Sequence, residues 1–321
     1  MKHLLSLEKL PRTDFETILR DAKVFKNERG THKTLPLQGQ TWALIFSKSS
    51  TRTRVSFEVG IRELGGGVMF LNANDIQLGR GEPIKDTARV LGRMIHGAVI
   101  RTFAQSDVET FAEFSQIPTI NALTDDEHPC QVLTDIFTFE ELSGPIAGKV
   151  VTFIGDGACN MPASWIFATA KLGFELRIAA PKAFQPAKKL LLQAGVKTIL
   201  EDNSNGDSII TAIVEETGGK IVIMTDCKRA ATGADLLYTD VWVSMGKEDE
   251  AARRIKLLSG YQINAPLVEL ANLGALVMHC LPAYRGKEID EETFEANADT
   301  IFTQAENRLH VQKAILNWVV S

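Results

Sequence analysis

Residues 47–60 read "SKSSTRTRVSFEVG" and follow the apolar run "TWALIF". A single hydroxyl at such a point is an ordinary helix cap. Here Ser49, Ser50, Thr51 and Thr53 crowd one turn with Arg52 and Arg54, a surplus of donors. A helix start offers unpaired N–H groups and a favourable dipole to an anion. Hydroxyls add neutral donors, and a planar guanidinium grips two phosphate oxygens at once. A capped helix with surface arginines is the plain alternative, but this density favours a phosphate cradle. Neither GxGxxG after a strand nor GxxxxGK[ST] is present, which points to a small phosphorylated substrate.

Other residues could join it. Arg101 ends the apolar run "GAVIRTF", a poor place for a charge unless it is paired or faces a ligand. His128 by itself would be a hydrogen-bonded structural histidine; with Pro129 and Gln131 after it, it can aim a donor at a carbonyl. In "GDGACNMPASW", Gly155 and Gly157 permit a tight strand-to-helix turn but lack the remaining glycine of a dinucleotide loop. Asp240 in "DVWVSMG" either caps a following helix or pairs with a cation. Cys280 in "MHCLPAYRG" is either a small buried hydrophobe or a nucleophile. The stretch 71–91, "LNANDIQLGRGEPIKDTARVL", reads as a mobile Gly-rich loop entering a helix.

These residues need a frame to hold them. Short β-rich runs recur: "TWALIF", "GVMFL", "GAVIRTF", "KVVTFIGD", "ELRIAAP", "KIVIMTD", "YTDVWVSM" and "ALVMHCLP". Between several lie helical patterns, such as the spacing of Phe57, Ile61 and Leu64, or "PAKKLLLQAG", which starts with Pro and stops at Gly. Alternation of strands and helices predicts parallel sheets covered on both faces. A turn-rich break near 143–148, "SGPIAG", separates two α/β domains. Leu309, Ala314, Ile315 and Trp318 mark a terminal helix seeking an apolar groove. Ligands of open parallel sheets bind beyond the carboxyl ends of strands, and there the unusual polar groups fall.

Bulk properties narrow the class. At 321 residues the chain is long enough for two cores. A net charge of −5 disfavours general nucleic-acid binding. Cys130, Cys159, Cys227 and Cys280 are far apart with no CxxC pair, so neither a disulfide framework nor a zinc site is expected and a reducing cytoplasm fits. The opening residues lack the pattern of a signal or transit peptide. No apolar run approaches the roughly 20 residues that span a bilayer, so no membrane association is expected.

Several segments, in the order of one family, then carry a resemblance. "FSKSSTRTRVSFEVG" resembles the Ser-Thr-Arg-Thr signature of the carbamoyltransferase family, and "HPCQVLTD" its His-Pro-x-Gln segment. "DVWVSMG" and "HCLP" are similar to the ornithine branch, and the match extends from "HLLSLEKL" to "ENRLHVQKAI". The resemblance implies carbamoyl phosphate and L-ornithine as substrates, citrulline and phosphate as products, and no metal or organic cofactor. It implies an α/β fold of two domains, each a parallel sheet flanked by helices. A carbamoyl phosphate domain is expected over 1–143, an ornithine domain over 144–303, and a helix over 304–321 returning to the first.

By the same resemblance, Ser50, Thr51, Arg52 and Thr53 hold the phosphate, with Gln77 serving it from a neighbouring subunit of a homotrimer or a multiple of one. Arg101 and His128 address the carbamoyl carbonyl, and Gln131 the carbamoyl amide. Cys280 and Leu281 line the place where amine and carbamoyl group meet, and Arg308 reaches the same centre. Asn160, Asp240, Ser244 and Met245 take ornithine. Cys159 stands where an asparagine is common, and "MPAS" replaces a more usual Met-Gly-Asn-Ser. Putrescine, an acylated ornithine, or a silent ligand sensor are the competing readings.

Overall fold

The computed structural model describes residues 1–72, 81–203 and 208–321. The chain divides into two compact units, one of Met1–Phe137 with Glu306–Ser321, the other of Thr138–Ala305.

In chain order the first elements are α1 (Arg12–Asn27), β1 (Thr41–Phe46), α2 (Thr51–Glu63), β2 (Gly67–Asn72), α3 (Ile84–Leu91), β3 (Gly97–Arg101), α4 (Gln105–Ser115), β4 (Thr119–Leu123) and α5 (Pro129–Ser143). The four strands pair in parallel in the order β2-β1-β3-β4. The unbroken apolar runs of β1 and β3 suit strands buried on both faces, with Trp42, Ala43 and Leu44 of β1 fully buried, whereas the edge strand β2 is partly exposed. Gly97 is required beside Trp42, because a Cβ there would meet the indole ring at 2.5 Å. Helix α2 buries Phe57 and Ile61, and Leu64 at its C-cap, completely. Each such side chain contributes about 1.5–3 kcal/mol. The register sets Phe46 level with Arg101, and Arg101 with Leu123. The carboxyl ends of β1, β3 and β4 therefore finish side by side.

The second unit contains β5 (Val150–Ile154), α6 (Asn160–Leu172), β6 (Glu175–Ala179), α7 (Lys188–Gln193), β7 (Thr198–Asp202), β8 (Ile209–Val214), β9 (Gly219–Met224), α8 (Cys227–Ala231), β10 (Leu236–Thr239), α9 (Ala251–Leu258), α10 (Ala265–Val268), β11 (Leu276–His279) and α11 (Glu291–Ala296). Its sheet runs β11-β10-β5-β6-β9-β8-β7. Five strands are parallel; β8 and β7 add on antiparallel. Residues 203–208 between β7 and β8 are fewer than the dozen or so a parallel crossover needs. The strand expected over "YTDVWVSM" stops at Thr239. There the Asp240 side chain accepts the Val241 N–H at 2.7 Å, a local bond that competes with the strand ladder.

Helix α12 (Ala298–Val320) ends the chain, and from Glu306 onward it belongs to the first unit, with Ala314, Ile315 and Trp318 buried. Among the described residues, no helix is long and apolar enough to cross a membrane.

Candidate active site

Ser50 caps α2, its Oγ accepting the Thr53 N–H at 3.3 Å. No acid occupies the first turn, so the positive end of the helix is open to an external anion. Thr51 is exposed, Arg52 half-buried and Thr53 fully buried. Arg308 of α12 donates from Nη2 to Thr53 Oγ1 at 2.6 Å, joining residues 255 positions apart. Arg101, at the end of β3, and His128, just beyond β4, are also buried. Burial pushes the His128 pKa well below its ordinary value, and the charges of Arg308 and Arg101 push the same way. The ring is therefore a neutral imidazole with one N–H to donate, set in a positive field.

Gln131, in the first turn of α5, donates from Nε2 to Asp135 Oδ1 at 2.7 Å. Its Oε1 is buried with no hydrogen-bond partner among the described residues, which suits the NH2 of an incoming amide. The first unit thus carries Ser50, Thr51, Arg52, Thr53, Arg101, His128, Gln131 and Arg308. It can hold a phosphate and polarise a neighbouring carbonyl. Gln77 lies outside the described residues.

In the second unit the register makes Thr239 level with His279, and Tyr238 with Phe153. The residues that follow β10 and β11, Asp240 and Cys280, consequently meet. Cys280 Sγ donates to Asp240 Oδ1 at 2.9 Å. A carboxyl is far more acidic than a thiol, so the shared proton rests on sulfur and Asp240 is the anion. Burial raises the Asp240 pKa, offset in part by His279, the Cys280 bond and the Val241 N–H. Asn160 is the first residue of α6, after the turn that leaves β5. Ser244 accepts the Lys247 N–H at its carbonyl at 3.0 Å, and Met245 is 45% exposed. Leu281 adopts a left-handed backbone (φ 59°) before a cis Pro282.

Two residues at this site escaped sequence reasoning. His279 Nδ1 accepts the Leu281 N–H at 2.8 Å, which places the ring proton on Nε2, 3.2 Å from Glu288 Oε1. Glu288 Oε1 also accepts the Tyr284 N–H at 2.6 Å. This buried pair holds the corner that presents Cys280 and Leu281. His279 stands within the "HCLP" segment, whereas nothing around Glu288 in the sequence marks it.

Comparison with known proteins finds one family model for each part of the chain, the second running on through residues that pack in the first unit. Residues 2–141 match the model described as "Aspartate/ornithine carbamoyltransferase, carbamoyl-P binding domain", and residues 147–319 match "Aspartate/ornithine carbamoyltransferase, Asp/Orn binding domain". The chain is 52% identical over 318 residues to the ornithine carbamoyltransferase of Akkermansia muciniphila, covering 98% of this chain and 97% of that protein. It is similar to the crystal structure of the anabolic ornithine carbamoyltransferase of Campylobacter jejuni, with a TM-score of 0.88, 40% identity and 99% of each chain covered. The Pyrococcus furiosus ornithine carbamoyltransferase structure aligns with a TM-score of 0.87 at 41% identity, over 98% of this chain and 96% of that one.

Proposed function

We propose that this chain, which belongs to the aspartate/ornithine carbamoyltransferase family, transfers the carbamoyl group of carbamoyl phosphate to the side-chain amine of L-ornithine. The products are L-citrulline and phosphate, a step of arginine metabolism. The observation that carries the choice of amine is Asp240, an anion already oriented by Cys280 and the Val241 N–H. An anion suits the ammonium of ornithine and would repel the second carboxylate of aspartate.

Carbamoyl phosphate binds with its phosphate on the α2 N-terminus, held by Ser50, Thr51, Arg52 and Thr53, with Gln77 as a further phosphate ligand. Thr53, Arg101 and neutral His128 donate to the carbonyl oxygen and stabilise the charge that develops there. Gln131 Oε1 takes the carbamoyl NH2, and Arg308 fixes Thr53. Ornithine is held by Asn160, Asp240, Ser244 and Met245, with Cys280 and Leu281 beside the reacting nitrogen. A free side-chain amine is mostly protonated at neutral pH, so the ammonium first loses a proton. The amine lone pair then forms the C–N bond, the C–O bond breaks with its electrons leaving on phosphate, and that phosphate takes the proton the new nitrogen sheds. Phosphate is a good leaving group, so the chemistry calls for no metal or organic cofactor.

The same reading makes the protein a cytoplasmic homotrimer or a multiple of one. Exposed Val55, Met69, Val90 and Met94 on the first unit support self-association.

The test is citrulline formation with purified protein, run beside aspartate, putrescine and N-acetylornithine. Turnover confined to ornithine is expected, with Arg52→Ala losing carbamoyl phosphate affinity and Asp240→Ala losing ornithine use. Turnover with another amine alone would overturn the second-unit assignment.

A further inference from the structure

Asp156 lies in the Gly-rich turn between β5 and α6 and is 3% exposed. Its Oδ1 accepts the Ala158 N–H at 3.0 Å, which shapes the turn that delivers Asn160. Its Oδ2 accepts from Arg254 Nη1 at 2.6 Å. Gly157 lets this turn press against its surroundings, since a Cβ would stand 2.8 Å from both Ile178 Cγ2 and the Phe184 carbonyl. Arg254 sits on α9, immediately after the segment carrying Ser244 and Met245. Its Nε donates to Glu250 Oε2 at 3.1 Å, and its guanidinium lies 4.9 Å from the centre of the Phe184 ring. Phe184, Trp242 and Leu258 form one apolar cluster beneath it. The Ser244–Met245 segment is therefore tied at both ends, by Trp242 before it and by Arg254 after it. Between those ties it is largely exposed.

We infer that the Arg254–Asp156 ion pair is a positioning device for the amine substrate, locking the Ser244–Met245 segment to the turn that presents Asn160. Neither residue is placed against the reacting atoms. The pair sets the spacing between two groups that must grip one small molecule from different elements. A planar guanidinium bonded to Asp156 and Glu250 in different directions fixes that spacing more tightly than an ammonium could. The inference rests on the ornithine reading above.

Steady-state kinetics of Asp156→Asn, Arg254→Met, the double variant and Arg254→Lys tests it, alongside thermal unfolding of each. The KM for ornithine should rise by about tenfold to a hundredfold in each single variant. The KM for carbamoyl phosphate should stay within about twofold, and the double variant should be no worse than the poorer single one. Arg254→Lys should recover part of the ornithine affinity, which separates positioning from loss of fold if Asp156→Asn does not fold. Equal rises in both KM values, strictly additive effects, or an unchanged ornithine KM in a folded variant would each overturn the pairing. If wild-type protein makes no citrulline at all, the fault lies with the proposed function instead.

Discussion

Glu127 immediately precedes His128 and is buried, its carboxyl accepting hydrogen bonds from the Ser6 hydroxyl and, at 2.9 Å, from the Leu7 N–H. Burial, with Glu8 and Asp126 nearby, outweighs those bonds and raises its pKa from 4.5 to about 7. Between those values the folded chain keeps a proton that the unfolded chain has released. Stability from this group is thus full below about 4.5, falls as pH rises towards 7, and is level above, a loss of at most about 3 kcal/mol. Glu127→Gln should flatten that slope and raise the urea midpoint near pH 8; a slope that survives the substitution would assign the titration to another group. Sequence and structure differ in legibility at this scale. Thr53, His128 and Asp240 sit in short motifs, and it is the resemblance of those motifs, more than the residue types alone, that singles them out. Glu127 meets Ser6 across 121 positions, and a pairing of that kind leaves no local pattern to read.

Helix α2 is tied to α12 at both ends. Arg308 bonds Thr53 in its first turn, and Lys313 bonds Glu63 at its last residue at 2.7 Å. Lys313 is fully buried and also contacts His32 Nε2 at 3.0 Å. Burial pushes the Glu63 carboxyl up, but the Lys313 and Arg29 cations bring it below its ordinary value. Lys313 itself is lowered, because burial outweighs the attraction of Glu63. Such a pair adds little net stability, yet removing one partner strands the other. Glu63→Gln should therefore destabilise the protein by about 3 kcal/mol, measured by urea denaturation, and Glu63→Leu with Lys313→Met should recover most of it. A Glu63→Gln variant as stable as wild type would show that Lys313 finds another counter-charge. Apolar periodicity exposed α2 and α12 in advance, because Phe57, Ile61 and Leu64 or Ile315 and Trp318 recur at helical spacing. It missed β4, β7 and β8, of which "TINAL" and "TILED" are interrupted by polar residues, and it could not show that β8 runs antiparallel, which follows from the length of a connection.

At the scale of the molecule, each unit holds its own sheet and its own half of the chemistry, so ligand effects on stability should be separable. Phosphate that binds only the folded first unit adds about 2.7 kcal/mol at a hundred times its Kd. Inorganic phosphate should accordingly raise the thermal midpoint of wild-type protein and leave Arg52→Ala unmoved; an equal rise in both would remove Arg52 from the cradle. The seven-stranded sheet has a different significance at its far margin. There β7 has no further strand partner among the described residues and carries an exposed Leu200, with Glu201 and Asp202 at the end of the strand. An unprotected rim of this sort templates cross-β growth between molecules, and charge at the rim opposes it. Glu201, paired with Lys188, and Asp202 set charge on that rim and so oppose the edge-to-edge stacking that seeds fibres.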